Sequence, residues 1–334
     1  MYTFTFVHCW GNNAVGQLGQ PLSLSTSATP LRVSGVTQPS RLTCGQQHSC
    51  VVDGNTPKCW GLNSTGQLGN GSTTSSYTPV VVNTPYAYRQ LAAGYDHTCA
   101  LVSQDNSANN LIQCWGNNGN GQLGVNDTNT RLTPATLTQK GWIYVTAGTA
   151  VTCAINGSVW CWGANDMGQL GTGNTFMYYV PMPSCSTTGF TQVTSWGKTT
   201  CGIDGSGLMW CWGDGTSGQM GNNSYFGVNL WPVRVVNPYS TTFISISSGG
   251  DHVCGTDVSW QAYCWGNNAS GELGYGGMIQ QNTAKLYQAI TALNGIASAK
   301  VGITLFHVIT VSPNPADHPP PPKSPKPHWR RQLL

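Results

Sequence analysis

Ten of the thirteen cysteines in this 334-residue chain stand at two recurring positions, a pattern that serves either metal binding or disulfide formation. The pairs are Cys50 with Cys59, Cys99 with Cys114, Cys153 with Cys161, Cys201 with Cys211, and Cys254 with Cys264. Structural zinc sites bring ligands in close C-x2–4-C pairs, and none occurs here, so the spacing argues against zinc. Each pair flanks a turn containing Gly, Asn or Ser. That sets the two cysteines opposite one another on adjacent strands, where a bridge is geometrically reasonable. The alternative is five pairs of reduced cysteines packing as small apolar side chains. Repetition of both members in every complete unit favours bridges, and bridges imply an oxidising compartment. Cys9, Cys44 and Cys185 fall outside the pairing, an odd remainder that leaves room for a free thiol or a bond to another chain.

Other chemistry-bearing residues are sparse. Six N-x-S/T sequons begin at Asn63, Asn70, Asn126, Asn156, Asn222 and Asn268, all in predicted loops, and mark N-glycosylation sites for a secreted eukaryotic protein. His48, His97 and His252 each precede the first cysteine of a pair by two residues, a recurrence that points to architecture rather than to a metal site. Paired carboxylates, a nucleophile elbow and a phosphate loop are all missing, and 11 acidic residues leave an acid–base site few candidates. The expectation is a non-enzymatic protein with no cofactor and no metal.

Charge narrows the partners further. Only 7% of residues are charged, while Gly numbers 42, so solubility rests on Asn, Gln, Ser and Thr, as in an all-β, turn-rich protein. The formal charge of +3 arises in the last 22 residues, from Lys323, Lys326, Arg330 and Arg331 against Asp317; the remaining body balances 10 basic against 10 acidic groups. Residues 1–312 hold no Lys/Arg run of the kind that replaces phosphate counterions, so a nucleic-acid partner is not expected. No apolar run approaches the roughly 18 residues of a membrane span. Met1 to Val7 has neither the basic nor the apolar region of a signal peptide, which the cysteines contradict. The two agree if the sequence is a mature fragment or lacks its true beginning.

Positioning these residues falls to an internal repeat. The string C-W-G-x-x-x-x-G-Q-L-G runs from Cys9, Cys59, Cys114 and Cys161, and recurs from Cys211 with Met220 for Leu and from Cys264 with Glu272 for Gln. Successive copies are 50, 55, 47, 50 and 53 residues apart, the length of a propeller blade. A Pro follows each of the first five copies in an extended run: Pro30, Pro79, Pro134, Pro181 and Pro232. Upstream of the later copies lies G-x4-C, as at Gly45 to Cys50, or a shorter version at Gly197 to Cys201. Each unit reads as strand, tight turn, strand, Gly-rich loop, strand. Trp ends a strand, the Gly residues permit positive φ, and the Leu between them points inward as a plug. One unit cannot bury its Trp and Leu alone, so neighbours must close into a ring.

These units resemble the repeats of the regulator-of-chromosome-condensation family, with its W-G-x-N-x-x-G-Q-L-G hallmark followed by a Pro-containing strand. The resemblance spans roughly residues 1–311 and implies a β-propeller; family members often have seven blades. The Cys before each Trp departs from the nuclear archetype and is similar to secreted relatives, including crinkly-type plant receptor ectodomains.

Here six signatures predict six blades, with seven the alternative for a truncated start. The ends complement one another: Tyr2 to Trp10 has a Cys-Trp-Gly and no strand before it, and Val301 to Val311 lacks a Cys-Trp-Gly after it. Pairing them closes the ring and brings His307 to the cysteine position opposite Cys9. Residues 312–334 form a Pro-rich basic tail of polyproline II character, disordered and similar in composition to hydroxyproline-rich extracellular matrix segments. The expected function is an extracellular interaction or structural glycoprotein that binds protein or glycan through a propeller face, with no membrane span in this chain. The alternative is a receptor ectodomain or inhibitor with one protein ligand. Cys9, Cys44 or Cys185 supplies any intermolecular contact.

Overall fold

The computed structural model describes residues 6–103, 109–186, 189–225, 227–275 and 277–286, with the backbone of 301–302 and 305–306. His307 and the Pro-rich tail lie outside the described residues. Among those described there is no α-helix, and every regular element is a strand. The chain starts with β1 (His8–Asn12) and β2 (Thr26–Arg32), paired antiparallel. Five four-stranded antiparallel sheets follow in order. The first holds β3 (Pro39–Cys44), β4 (His48–Asp53), β5 (Thr56–Gly61) and β6 (Ser76–Val81). The second holds β7 (Ala87–Ala93), β8 (His97–Ser103), β9 (Leu111–Gly116) and β10 (Arg131–Thr136). The third holds β11 (Tyr144–Ala147), β12 (Val151–Asn156), β13 (Ser158–Gly163) and β14 (Tyr178–Pro183). The fourth holds β15 (Phe190–Trp196), β16 (Thr199–Asp204), β17 (Met209–Asp214) and β18 (Val228–Arg234). The fifth holds β19 (Phe243–Gly249), β20 (His252–Asp257), β21 (Ala262–Gly266) and β22 (Gln281–Leu286). Two short strands, β23 (Val301–Gly302) and β24 (Leu305–Phe306), pair with each other.

Each sheet has one strand more than the repeat predicts. The addition is the innermost strand, for example β7 with the run Ala-Tyr-Arg-Gln-Leu-Ala-Ala, whose polar centre hides its strand character. These innermost strands pack against one another in series, β3 on β7, β7 on β11, β11 on β15 and β15 on β19, so the sheets stand as blades about an axis. β23 lies beside β19, and β24 lies beside β1.

Core packing sits between blades. Trp60, Trp115, Trp162, Trp212 and Trp265 are fully buried, as are Leu18, Leu68, Leu123 and Leu170, the plugs of the repeat. Trp162, for instance, packs with Cys99, Cys114 and Leu123 of the preceding sheet and with Trp142, 6.2 Å away. Burying an indole of this size removes about 150–250 Å² from water, a large apolar contribution at each blade interface.

Candidate functional site: the loop-bearing face and its interblade latch

The long loops between the third and fourth strands and the turns between the first and second strands emerge on one face. Around its centre the turn glycines touch in sequence. A Cβ on Gly45 would collide with the Gly94 carbonyl; one on Gly94 would lie 2.5 Å from Gly148 O, and one on Gly148 would lie 2.8 Å from Ser195 O. No side chain fits between backbones that close, which is why the G-x4-C motif begins with Gly.

The Gly-Gln-Leu-Gly loop is itself a latch. The main-chain carbonyls of Gln17, Gln67, Gln122, Gln169 and Gln219 accept hydrogen bonds from the indole N–H of Trp60, Trp115, Trp162, Trp212 and Trp265 at 2.9–3.0 Å, always one blade ahead. A hydroxyl of that same next blade donates to four of them: Ser49, Thr98, Thr152 and Thr200. His48 and His97 extend the network through Nε2 to Thr98 Oγ1 (2.9 Å) and Thr152 Oγ1 (3.0 Å). Their recurrence is thus packing, with each ring tying one blade to the next.

Sequon placement needs a correction. Asn63 and Asn268, expected as glycosylation sites, are fully buried. Their Oδ1 atoms accept the Leu68 and Leu273 N–H bonds at 2.9 Å, and their Nδ2 groups donate to carbonyls of the same loop, including Thr74 O and Ile279 O. Both are the Asn of the W-G-x-N hallmark, spent on folding the loop; Asn13, Asn118 and Asn165 do the same without a sequon. Asn126 is exposed, and Asn70, Asn156 and Asn222 are half-buried.

The five expected cysteine pairs are disulfides in the structure, each joining the two central strands of one blade. Cys9 and Cys44 are buried, and Cys185 is exposed. Among the described residues no cluster of His, Cys, Asp or Glu is arranged to hold a metal, and no helix is long and apolar enough to cross a membrane.

Charges on the loop-bearing face went unrecognised in the sequence because they are far apart in it. Lys198 pairs with Asp166 at 2.5 Å, and its ammonium pKa is raised by that hydrogen bond and charge. Burial raises the Asp251 carboxyl, helped by the negative charges of Asp214 and Glu272. Burial also raises Asp96, against a 2.7 Å hydrogen bond from Asn117 Nδ2. The face therefore brings Asp214, Asp251 and Glu272 close enough to act on one another, with Lys198 beside Asp166 and Asp214.

His252 gives a pH test. Burial lowers its pKa below 6.5, opposed by Glu272. A histidine kept neutral in the fold stabilises above its unfolded pKa, and that contribution is lost as pH falls through 6.5 toward the folded value. Thermal melts should show stability dropping over that window, and His252→Asn should flatten the drop. An unchanged slope would show that another group sets it.

Comparison with known proteins decides the family. The model of the "Regulator of chromosome condensation (RCC1) repeat" matches residues 6–52, 59–101, 112–155, 156–203 and 206–255. The chain belongs to the RCC1 repeat family. A curated relative is the ultraviolet-B receptor UVR8 of Arabidopsis thaliana, 29% identical over 286 residues, which span 81% of this chain and 63% of the relative. The chain thus covers less than two thirds of that protein. Human WBSCR16 shares the fold with a TM-score of 0.72 at 16% identity, over 92% of this chain and 99% of its own. Prp20p of Saccharomyces cerevisiae, described with its binding to Gsp1p and histones, gives 0.66 at 17% identity over 95% and 94%. These likenesses, with the strand order above, make this RCC1-repeat chain an all-β propeller.

Proposed function

We propose that this RCC1-repeat chain is an extracellular, non-enzymatic glycoprotein that binds a protein or glycan partner through a propeller face. The observation that carries the proposal is the disulfide in the centre of every four-stranded blade, an investment that persists in an oxidising compartment. The loop-bearing face is the binding face in this reading, because Asp214, Asp251 and Glu272 come together there on loops held by rigid strands. The binding of Prp20p to Gsp1p and histones supports a protein partner for a propeller of this type.

Residues 1–311 act as one unit in this proposal, six blades with the last formed by β23, β24, β1 and β2. The position of β24 beside β1 and of β23 beside β19 supports that closure. The tail from 312 onward, Pro-rich in sequence, serves as a spacer.

Protein secreted by its source cells is expected to yield the five intrablade bridges on non-reducing peptide mapping. It should also carry glycan at Asn126 and none at Asn63 or Asn268, whose side chains the loop consumes. Recovery of the ten cysteines as alkylatable thiols would overturn the extracellular reading. For the face, chemical cross-linking in the source's extracellular fraction should give a partner adduct that Asp214→Lys with Asp251→Lys abolishes. Retention of the adduct in that variant would move the site elsewhere.

A further inference from the structure

We infer that Cys9 and Cys44 form a sixth disulfide, one that joins two neighbouring blades rather than two strands of the same blade. The inference rests on the oxidising compartment proposed above.

Comparing the blades position by position carries the argument. By strand register, Cys44 lies opposite Ser49; the equivalent pairs are Ala93 with Thr98, Ala147 with Thr152, Ser195 with Thr200, and Ser248 with Val253. This position is small and buried in every blade, and it holds cysteine only in the blade that follows β1. In the third blade, what packs on it is the disulfide of the second. The Cys99–Cys114 bridge shares a core cluster with Ala147 and Trp162, and Cys99 Sγ lies 3.7 Å from Thr152 Oγ1.

β1 presents Cys9 at the same register as the bridged cysteines of the third strands: Cys9 faces Leu31 as Cys59 faces Val80 and Cys211 faces Val233. No cysteine stands between Trp265 and Leu334, so the strand at β24 offers Cys9 no intrablade partner. Instead Cys9 shares a buried cluster with Cys44, Val51 and Trp60 of the next blade, and Cys44 Sγ lies 4.0 Å from Ser49 Oγ, at the place where Cys99 reaches Thr152. At the interface of the second and third blades a disulfide meets the methyl group of Ala147. At this one a thiol meets a thiol.

Forming the bond removes one hydrogen from each sulfur. Two protons and two electrons pass by thiol–disulfide exchange to an external disulfide, that of an oxidoreductase or of oxidised glutathione, which leaves as two thiols. The attacking species is a thiolate. Burial pushes the Cys9 thiol well up, with Cys44 adding to the effect, so the exchange belongs to folding, before the cluster closes.

The full chain, directed through a secretory pathway, is denatured without reductant, alkylated with iodoacetamide and mapped. The expected result is a peptide linking Cys9 to Cys44 and no alkylation at either. Alkylation of both with the five intrablade bridges intact overturns the inference and spares the compartment; alkylation of all twelve overturns both. A bond from Cys9 or Cys44 to any other residue also overturns it. Cys44→Ala places in this blade the residue that Ala93 and Ala147 hold in theirs. It should therefore fold, expose Cys9 to alkylation after denaturation, and melt at a lower temperature than wild type.

Discussion

Trp162→Ala is expected to destabilise the protein by about 3–5 kcal/mol, the cost of emptying a large buried aromatic site. The indole is fully buried between two blades, packs beside the Cys99–Cys114 bridge and Trp142, and donates the latch bond to Gln122 O at 3.0 Å. Its loss leaves a cavity and a buried carbonyl with one donor, Thr152, remaining. Chemical denaturation should show the midpoint falling with little change in slope. Trp231→Ala is the control: Trp231 is 53% exposed on an outer strand, and its replacement should cost far less. Equal effects at the two sites would mean that the interblade core does not dominate stability.

Deleting one intrablade disulfide ranks second. Cys153→Ala with Cys161→Ala should cost roughly 2–3 kcal/mol, from the freedom returned to the unfolded chain by opening a loop with sequence separation 8. Alanine is the suitable replacement because both positions are fully buried, and a serine hydroxyl there would add an unsatisfied donor. The Cys153–Cys161 and Cys201–Cys211 bridges belong to different buried clusters, so the same change at Cys201 and Cys211 should add to it almost fully. Strong non-additivity in denaturant melts would show that bridges communicate across the interface.

Much of this was legible in sequence because the repeat is read six times. The Cys-Trp-Gly spacing located the third strand of each blade, and the cysteine phase located its partner strand, so all five bridges could be named. Innermost strands escaped because they carry neither the Cys-Trp-Gly mark nor the Pro of the other strands; β7, Ala-Tyr-Arg-Gln-Leu-Ala-Ala, places Arg89 and Gln90 at its centre and so lacks an apolar run. Asn63 and Asn268 misled because one residue type serves two codes. A sequon is a three-residue pattern, whereas the W-G-x-N asparagine is recognised only through the Leu N–H five residues on. The face of carboxylates was hidden for a different reason, since Asp214, Asp251 and Glu272 belong to separate turns that only the tertiary fold brings together.

The latch has a consequence for how such a chain tolerates mutation. Its acceptor at each of five interfaces is a main-chain oxygen, so no substitution at Gln17, Gln67, Gln122, Gln169 or Gln219 removes the atom itself. Glu272 stands at the equivalent place in the sixth signature with its carbonyl unaltered. Genetic drift can therefore exchange Gln for Glu, whose carboxylate still accepts the Ser270 N–H within the loop, on the accepting edge of a blade while the donating edge of the next keeps its indole. Neighbouring repeats can diverge, duplicate or be exchanged and still recognise one another, which leaves the exposed loops between them open to selection for new partners.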